Sequence, residues 1–278
     1  MNPTGGTEDR NPASSQLSEM TARQIITLMT SEEKRALEAI QAATRELAEA
    51  ADMVADVFSK GGRVFFLGSG TSARLAAMEA AELPPTFGID EKRFVVFAAA
   101  GPSIGPAAVA SSEDDVFAAG EALKNSGCRQ GDAVFGIAAS GSTPFVLFGM
   151  QVARSLGAWT CGIANNPDTA ILDVADLAIL LDTGPEILTG STRLKAGTAQ
   201  KLALNRITTA ALVRCGLVRS NLMVNVKPNN SKLQQRAIRI TAALTSTDES
   251  TARMLLENHG WNIMRAIDSR NTHDDNSW

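Results

Sequence analysis

The chain has 278 residues, of which 44% are hydrophobic, so it can bury a substantial core. Its formal charge of −4 and the absence of a long Lys/Arg run argue against nucleic-acid and anionic-membrane binding, which use basic patches. The start is polar, and no apolar stretch reaches the ~20 residues needed to cross a bilayer. We therefore expect a cytoplasmic protein with a small-molecule ligand.

Cysteines and histidines are few, and their positions limit the chemistry. Cys128, Cys161 and Cys215 are far apart in apolar surroundings, which predicts free thiols rather than disulfides or a zinc site. His259 and His273 both lie near the C-terminus. Chemistry in the main body must therefore use carboxylates, lysines or hydroxyls, and we expect no metal and no cofactor.

Residues 1–60 are predicted to form a helical N-terminal segment. The sequence Thr30-Ser31-Glu32-Glu33 fits a capping box, in which a Thr and a Glu three residues later satisfy each other's backbone donors. Apolar residues at helical spacing continue from there to Gly61-Gly62, which is a typical helix stop. We expect one long helix between these two points.

Residues 61–228 contain short apolar runs that alternate with segments long enough for helices. Runs without polar alternation are typical of parallel strands covered on both faces. They predict an α/β fold, a three-layer, doubly wound, flavodoxin-like parallel sheet that binds ligands outside the carboxyl ends of its strands. A helix from about Arg193 to Cys215 closes this unit. The predicted strands are Arg63–Leu67, Phe94–Ala99, Ala133–Ala139, Thr160–Ala164 and Leu177–Leu181.

Residues 229–270 are predicted to form a small helical module. A helical run reaches Leu244, and a capping site at Thr245–Glu249 precedes a second amphipathic helix. His259-Gly260-Trp261-Asn262 interrupts that helix before Ile263–Ile267. The polar stretch from Asp268 to Trp278 is expected to fray, with residues 271–278 as the tail.

Two predicted strands run directly into turns rich in Gly and hydroxyl residues. The first strand is followed by Gly68-Ser69-Gly70-Thr71-Ser72, and the third by Ala139-Ser140-Gly141-Ser142-Thr143. Two such loops, each before a helix start, are expected to converge on one phosphate. Ordinary strand-to-helix turns use the same residues, so that alternative stays open for either loop. A GK[ST] ending and the GxGxxG pattern are both absent, which favours a sugar phosphate over a nucleotide.

A third stretch, Leu188–Thr198, also places hydroxyls and a cation at a helix start. Its candidate phosphate-binding residues are Ser191, Thr192 and Lys195. Plain helix capping is the alternative.

Several stretches closely resemble, in order, the motifs of the N-acetylmuramic acid 6-phosphate etherase family. The N-terminal TEDRNP is similar to a signature of that family as well, so the resemblance covers roughly residues 7 to 240. AELPPTFG and GSTRLKAGTAQK are the most specific motifs. The matching stretches are TEDRNP at Thr7–Pro12, GSGTSARL at Gly68–Leu75, AELPPTFG at Ala81–Gly88, IAASGSTP at Ile137–Pro144, GPEILTGSTRLKAGTAQK at Gly184–Lys201 and NLMVNVK at Asn221–Lys227.

This resemblance implies a sugar isomerase (SIS) domain, a homodimer and a C-terminal module similar to a ubiquitin-associated (UBA) domain. It implies a carbon–oxygen lyase that cleaves the lactyl ether of N-acetylmuramic acid 6-phosphate during cell-wall sugar recycling. The products are N-acetylglucosamine 6-phosphate and D-lactate. The family's two catalytic glutamates match Glu82 and Glu113.

The local sequence suggests different duties for the two glutamates. Glu82 is predicted to end a helix before Pro84-Pro85, where the helix dipole disfavours its charge, so it would be the acid toward lactate. Glu113 follows two serines at a predicted helix start, so it would be the base. Without the resemblance, both could be ordinary helix-end residues. Glu79 is expected to be a solvated or salt-bridged neighbour.

The sequence departs from the family at four positions: Ala73, Leu83, Ser142 and Asn225 stand where Gly, Cys, Arg and Asp are usual. Ser142 matters most, because the loss of a guanidinium removes a bidentate partner for an anion.

Three alternatives remain. One is a non-catalytic sugar-phosphate sensor similar to the glucokinase regulatory protein, although that relative carries two SIS domains. Another is an isomerase or lyase for a different amino-sugar phosphate. A transcriptional regulator fits less well, because residues 10–60 are not net basic.

Overall fold

The computed structural model describes residues 6–99, 101 and 116–274, with side chains described to residue 270. Clustering of contacts divides the chain into two compact units. The first contains residues 1–80 and 92–211, and the second contains residues 81–91 and 212–278.

The first unit begins with three short 3₁₀ turns, Gly6–Glu8, Pro12–Ser14 and Leu17–Glu19. Three helices follow in place of the single long helix that was predicted. They are α1 (Ala22–Glu32), α2 (Lys34–Ala42) and α3 (Thr44–Ser59), and α3 ends just before the two glycines as expected.

The predicted capping box at Thr30 was wrong. The Thr30 hydroxyl donates to the carbonyl of Ile26 at 2.9 Å, so Thr30 lies inside α1 rather than at a helix start. The capping box that is present lies at Thr21, whose side chain accepts from the Gln24 amide while its own amide donates to Gln24 Oε1 at 2.8 Å. A Thr with an acidic residue three positions later also occurs inside helices, because its hydroxyl can bond to the preceding turn.

A five-stranded parallel sheet forms the centre of the first unit, as the apolar runs predict. Strands β1 and β3 are buried at every position, which explains their continuous apolar sequence. The strand order is β2-β1-β3-β4-β5, the order of flavodoxin-like folds. The strands are β1 (Val64–Gly68), β2 (Phe94–Ala98), β3 (Ala133–Ile137), β4 (Trp159–Ala164) and β5 (Leu177–Leu180).

Helices cover the sheet on both sides and complete an α/β architecture. Phe65, Leu67, Phe145 and Met150 are among the buried side chains of its core. The helices are α4 (Gly70–Phe87), α5 (Ala118–Asn125), α6 (Pro144–Ser155), α7 (Ala170–Val174) and α8 (Lys195–Arg214).

Helix α4 continues beyond its two prolines, contrary to the prediction that it ends at Glu82. Pro84 and Pro85 lie inside its last turns, and the helix ends at Phe87. Each proline removes only its own N–H donor, and the Gly88 amide still donates to the Pro84 carbonyl at 2.9 Å.

The second unit contains a short antiparallel ribbon and the predicted helical module. The ribbon pairs β6 (Val218–Arg219) with β7 (Leu222–Met223). Helices α9 (Ser231–Thr245), α10 (Glu249–Asn258) and α11 (Ile263–Asp274) follow it. They share a core that includes Ile238, Leu256, Ile263 and Ile267.

The α10 cap lies within the predicted capping site, Thr245–Glu249. It is Asp248, whose side chain accepts from the Thr251 amide, whereas Thr245 itself still belongs to α9 and its hydroxyl donates to the Thr241 carbonyl. Helix α11 runs through the stretch expected to fray, as far as Asp274, because Ala266 and Ile267 are buried against the module core and hold it.

The three cysteines are free, as predicted. Burial raises the pKa of the Cys128 thiol to about 11, so it stays protonated and unreactive. No helix in the described ranges is both long and apolar enough to span a bilayer.

Candidate functional site

A cavity of about 220 Å³ opens at the carboxyl ends of β1 and β3. The chain order reverses between these two strands, and ligands of doubly wound sheets bind at that point. Hydroxyl groups dominate the lining, and the N-termini of α4 and α6 lie at the same edge of the sheet. The lining residues are Glu8, Ser69, Gly70, Thr71, Ser72, Ile137, Ala138, Ala139, Ser140, Thr143 and Thr192.

Four residues of the first predicted loop, from Ser69 to Ser72, line this cavity, and Gly68 belongs to β1. The Ser72 hydroxyl is already engaged, because it donates to Gln200 Oε1 at 2.8 Å. Gln200 in turn donates to Asn165 Oδ1 at 2.9 Å, and Asn165 donates to the Leu181 carbonyl at 2.9 Å. This buried chain of hydrogen bonds fixes the loop against α8 and the end of β5.

The second predicted loop contributes only part of its residues. Ser140 and Thr143 line the cavity, whereas Ser142 is exposed and its amide donates to Ser140 Oγ at 3.3 Å. Gly141 has φ +67°, and a Cβ at this position would overlap the Thr169 side chain. Gly141 therefore allows the tight turn that brings Ser140 to the cavity. Thr143 precedes α6 without using its side chain as a cap, which leaves the hydroxyl available.

The third predicted stretch brings only Thr192 to the cavity, and Ser191 is half-buried nearby in sequence. Lys195 is outside the lining and has a different partner. Its side chain is 2% exposed, and its Nζ lies 2.6 Å from Glu32 Oε2 at the end of α1.

Two carboxylates surround Lys195 with opposite pKa shifts. Glu186 accepts from the Ala196 amide at 2.9 Å and the Lys195 amide at 3.3 Å, and so caps α8. Burial raises the pKa of Glu186 despite these bonds. Burial alone would also raise the pKa of Glu32, but hydrogen bonds from Lys195 and Asn11 outweigh it, and the pKa is lowered.

Of the two candidate catalytic glutamates, Glu82 lies in the described part of the chain. Glu82 is an exposed residue of α4 and belongs to the second compact unit. Glu113 lies outside the described residues. Their roles stay predictions.

Glu79 was expected to be a solvated or salt-bridged neighbour of Glu82, but it is buried and hydrogen-bonded to neutral groups. It is 6% exposed, and it accepts from the Thr208 hydroxyl at 2.5 Å and from the Asn205 amide group. The helical spacing already indicated burial, because Glu79 lies three residues after the apolar Ala76 and four before the apolar Leu83, on the same face of the helix. Both of these residues are buried in the structure.

Sequence reasoning missed Glu8 as a residue of the cavity. The buried Thr7 amide donates to Asn166 Oδ1 at 2.8 Å, and this bond brings the N-terminal turn to the sheet edge. TEDRNP marked the stretch by resemblance, but no spacing rule places residue 8 beside loops that follow residues 68 and 137.

Comparison with known proteins identifies the family. The SIS domain family matches residues 30–165, and the UBA-like domain family matches residues 242–269. The N-acetylmuramic acid 6-phosphate etherase 2 of Bacillus licheniformis is 44% identical over 94% of this chain and 88% of its own length. The etherase of Oenococcus oeni is 43% identical with the same coverage, and that of Pasteurella multocida is 42% identical over 91% of this chain and 85% of its own.

The chain belongs to the N-acetylmuramic acid 6-phosphate etherase family.

Solved structures agree with the SIS fold of this etherase family member. The phosphoheptose isomerase of Neisseria gonorrhoeae superposes with a TM-score of 0.55 at 19% identity, over 69% of this chain and 98% of that one. The phosphoheptose isomerase of Francisella tularensis gives 0.54 at 17% identity with the same coverage. At these identities the likeness shows the fold alone.

Proposed function

We propose that this chain is a lyase that cleaves the lactyl ether of N-acetylmuramic acid 6-phosphate, releasing D-lactate and leaving N-acetylglucosamine 6-phosphate. The single observation that carries the proposal is the 40–44% identity to etherases over most of the chain. The cavity supports it, because hydroxyls and two helix N-termini at one sheet edge suit a phosphate.

The phosphate would bind to the serine, threonine and glycine residues of the cavity lining, which are Ser69, Gly70, Thr71, Ser72, Ser140, Thr143 and Thr192. Gly141, Ser142, Ser191 and Lys195 would support these loops from outside the lining. Ser142 is exposed, so the Arg that is usual there would extend a guanidinium from the rim, and this chain would bind the anion without it.

The reaction needs two proton transfers. A base removes the proton from carbon 2, beside the open-chain aldehyde, and an acid protonates the departing lactate oxygen. Water then adds across the double bond. In the proposal Glu113 is the base and Glu82 is the acid, and Glu82 later activates the water.

The division of roles now depends on the resemblance alone for Glu82. Helix α4 continues to Phe87, so Glu82 lies more than one turn before its end. The helix dipole therefore disfavours the charge of Glu82 less than the predicted boundary implied. Exposure of Glu82 in the single chain leaves it accessible to a ligand.

Further parts of the proposal are a homodimer in the cytoplasm, a role in recycling cell-wall sugars, and domain boundaries at residues 60, 228 and 270. Light scattering on the purified chain would test the dimer.

The central test incubates the protein with N-acetylmuramic acid 6-phosphate in deuterated water. We expect D-lactate release with deuterium at carbon 2 of the product. Glu82→Gln and Glu113→Gln should each lower turnover by about 10²-fold or more, because general acid and base groups contribute that much. Glu91→Gln, an exposed neighbour in the same unit, is the matched control.

The outcomes separate the alternatives. Deuterium exchange without lactate release would indicate an isomerase, and saturable binding with neither would indicate a sensor. If both Gln variants kept a turnover rate within a few fold of the parent chain, the two-glutamate mechanism would be wrong.

A further inference from the structure

Glu8 places a carboxylate in a cavity that is otherwise lined by hydroxyl-bearing, glycine and apolar residues. The carboxylate lies over Gly190, where an added Cβ would be 3.1 Å from Glu8 Oε2. A glycine at position 190 therefore leaves room for the Glu8 side chain. Within the described part of the chain, no hydrogen bond or ion pair occupies this carboxylate.

The residue before Glu8 is held in place by hydrogen bonds. Thr7 is fully buried, its amide donates to Asn166 Oδ1 at 2.8 Å, and its hydroxyl accepts from Asn166 Nδ2 at 3.0 Å. The Thr7 carbonyl accepts from the Gly190 amide at 3.2 Å. Three hydrogen bonds thus hold Thr7, while the side chain of Glu8 lines the cavity.

An ionised carboxylate can only accept hydrogen bonds, and it repels other anions. Glu8 is therefore unsuited to contact the phosphate that the hydroxyls and helix N-termini would bind. It is suited to a donor on the other part of the ligand. An amino-sugar phosphate carries such donors in its hydroxyls and its amide N–H.

We propose that Glu8 binds the sugar by accepting a hydrogen bond from a hydroxyl or the amide N–H of the amino-sugar phosphate. This inference rests on the proposed function and adds a specificity residue to it. The hydroxyls and helix N-termini would then recognise the phosphate and Glu8 the sugar, so Glu8 would not contribute to the binding of free inorganic phosphate.

The test is calorimetric titration of the full chain with N-acetylglucosamine 6-phosphate, with inorganic phosphate as the competitor. Glu8→Gln should weaken the affinity for the sugar phosphate about 5- to 10-fold, because the amide oxygen can still accept and only the extra strength of a hydrogen bond to a charged group is lost. The affinity for inorganic phosphate should stay the same or rise, because a negative charge is removed. In turnover of the muramic acid substrate, KM should rise more than kcat falls.

Asp9→Asn is the matched control, since it removes the same charge from the next residue, which is exposed and outside the cavity lining. It should leave both affinities unchanged. An equal loss for both ligands in Glu8→Gln would mean that Glu8 only shapes the loops, and no loss for either would mean that it does not touch the sugar. Either result overturns the inference while the parent chain still binds and turns over. Failure of the parent chain to bind either ligand would overturn the proposed function as well.

Discussion

Glu79 is a buried carboxylate that accepts hydrogen bonds from two neutral groups on α8, the Thr208 hydroxyl and the Asn205 amide. A buried acceptor that loses its donor retains the full cost of having left water. The pairing thus makes the packing of α4 on α8 sensitive to a single hydroxyl.

Thr208→Val keeps the shape of the side chain and removes this donor. We expect the free energy of unfolding to fall by about 1–3 kcal/mol, because Glu79 stays buried with one bond fewer. Urea unfolding would measure it. Thr209→Val, on the exposed side of the same turn, should change stability by only a few tenths of a kcal/mol. Similar losses in the two variants would contradict the role given to Glu79.

Asn225 gives a physical reason for one departure from the family. Its Nδ2 donates to the Phe87 carbonyl at 2.7 Å, at the end of α4. The Asp that is usual at this position has no donor when ionised, so this contact belongs to the amide.

Among the elements, α1 and α8 are joined by the Glu32–Lys195 ion pair, which is almost fully removed from water at its lysine end. Removing one member of a buried pair leaves the other charge uncompensated and costs about 3–5 kcal/mol. Lys195 therefore stabilises the start of α8, whose loop reaches the cavity through Thr192.

Lys195→Met should lower the free energy of unfolding strongly at neutral pH, and this loss should shrink in acid. The pKa of Glu32 is lowered in the folded chain, so its contribution is present above the unfolded pKa and is lost as pH falls through the folded pKa. Urea unfolding at neutral and acidic pH would check this. Lys201→Met, on a half-buried residue of the same helix, is the control. A loss independent of pH would contradict the pairing with Glu32.

The strands were predictable from sequence because each is a short apolar run, and every one formed within about two residues of its predicted bounds. The breaks between the N-terminal helices could not be predicted in the same way. The apolar spacing continues across Glu33 and Ala43, and no Gly or Pro marks these breaks. The two prolines led to the opposite error, since they predicted that α4 ends at Glu82, whereas it reaches Phe87.

At the scale of the molecule, the sheet order could be expected from the alternation of strands and helices, and with it the edge where the loops meet. The loops after β1 and β3 were therefore found in advance. The place of Glu8 in the cavity and the pairing of Lys195 with Glu32 were not predicted. Both depend on contacts between residues more than 150 positions apart, and no local sequence pattern encodes such contacts.

The helical module of the second unit has its own core, which Leu256 helps to fill. Leu256→Ala should destabilise it by about 2–5 kcal/mol through lost burial and a new cavity. Hydrogen exchange of the α10 and α11 amides would report the loss. Affinity for inorganic phosphate should be unchanged, because every residue lining the cavity lies in the first unit.

Met254→Ala is the matched control on the same helix, since Met254 is 57% exposed and should be nearly neutral. If hydrogen exchange became faster by the same amount in both variants, the role given to Leu256 in the module core would be wrong.

The bond from Thr7 to Asn166 has a consequence for the order in which the molecule is completed. During synthesis Thr7 leaves the ribosome well before its partner Asn166, which is made 159 residues later, and Gly190 follows later still. Closing so long a loop is slow compared with forming the local helices and strands between its ends. The turn that contains Thr7 is thus made before the sheet but reaches its place after it, and the cavity wall that it carries closes only when most of the sheet is already built.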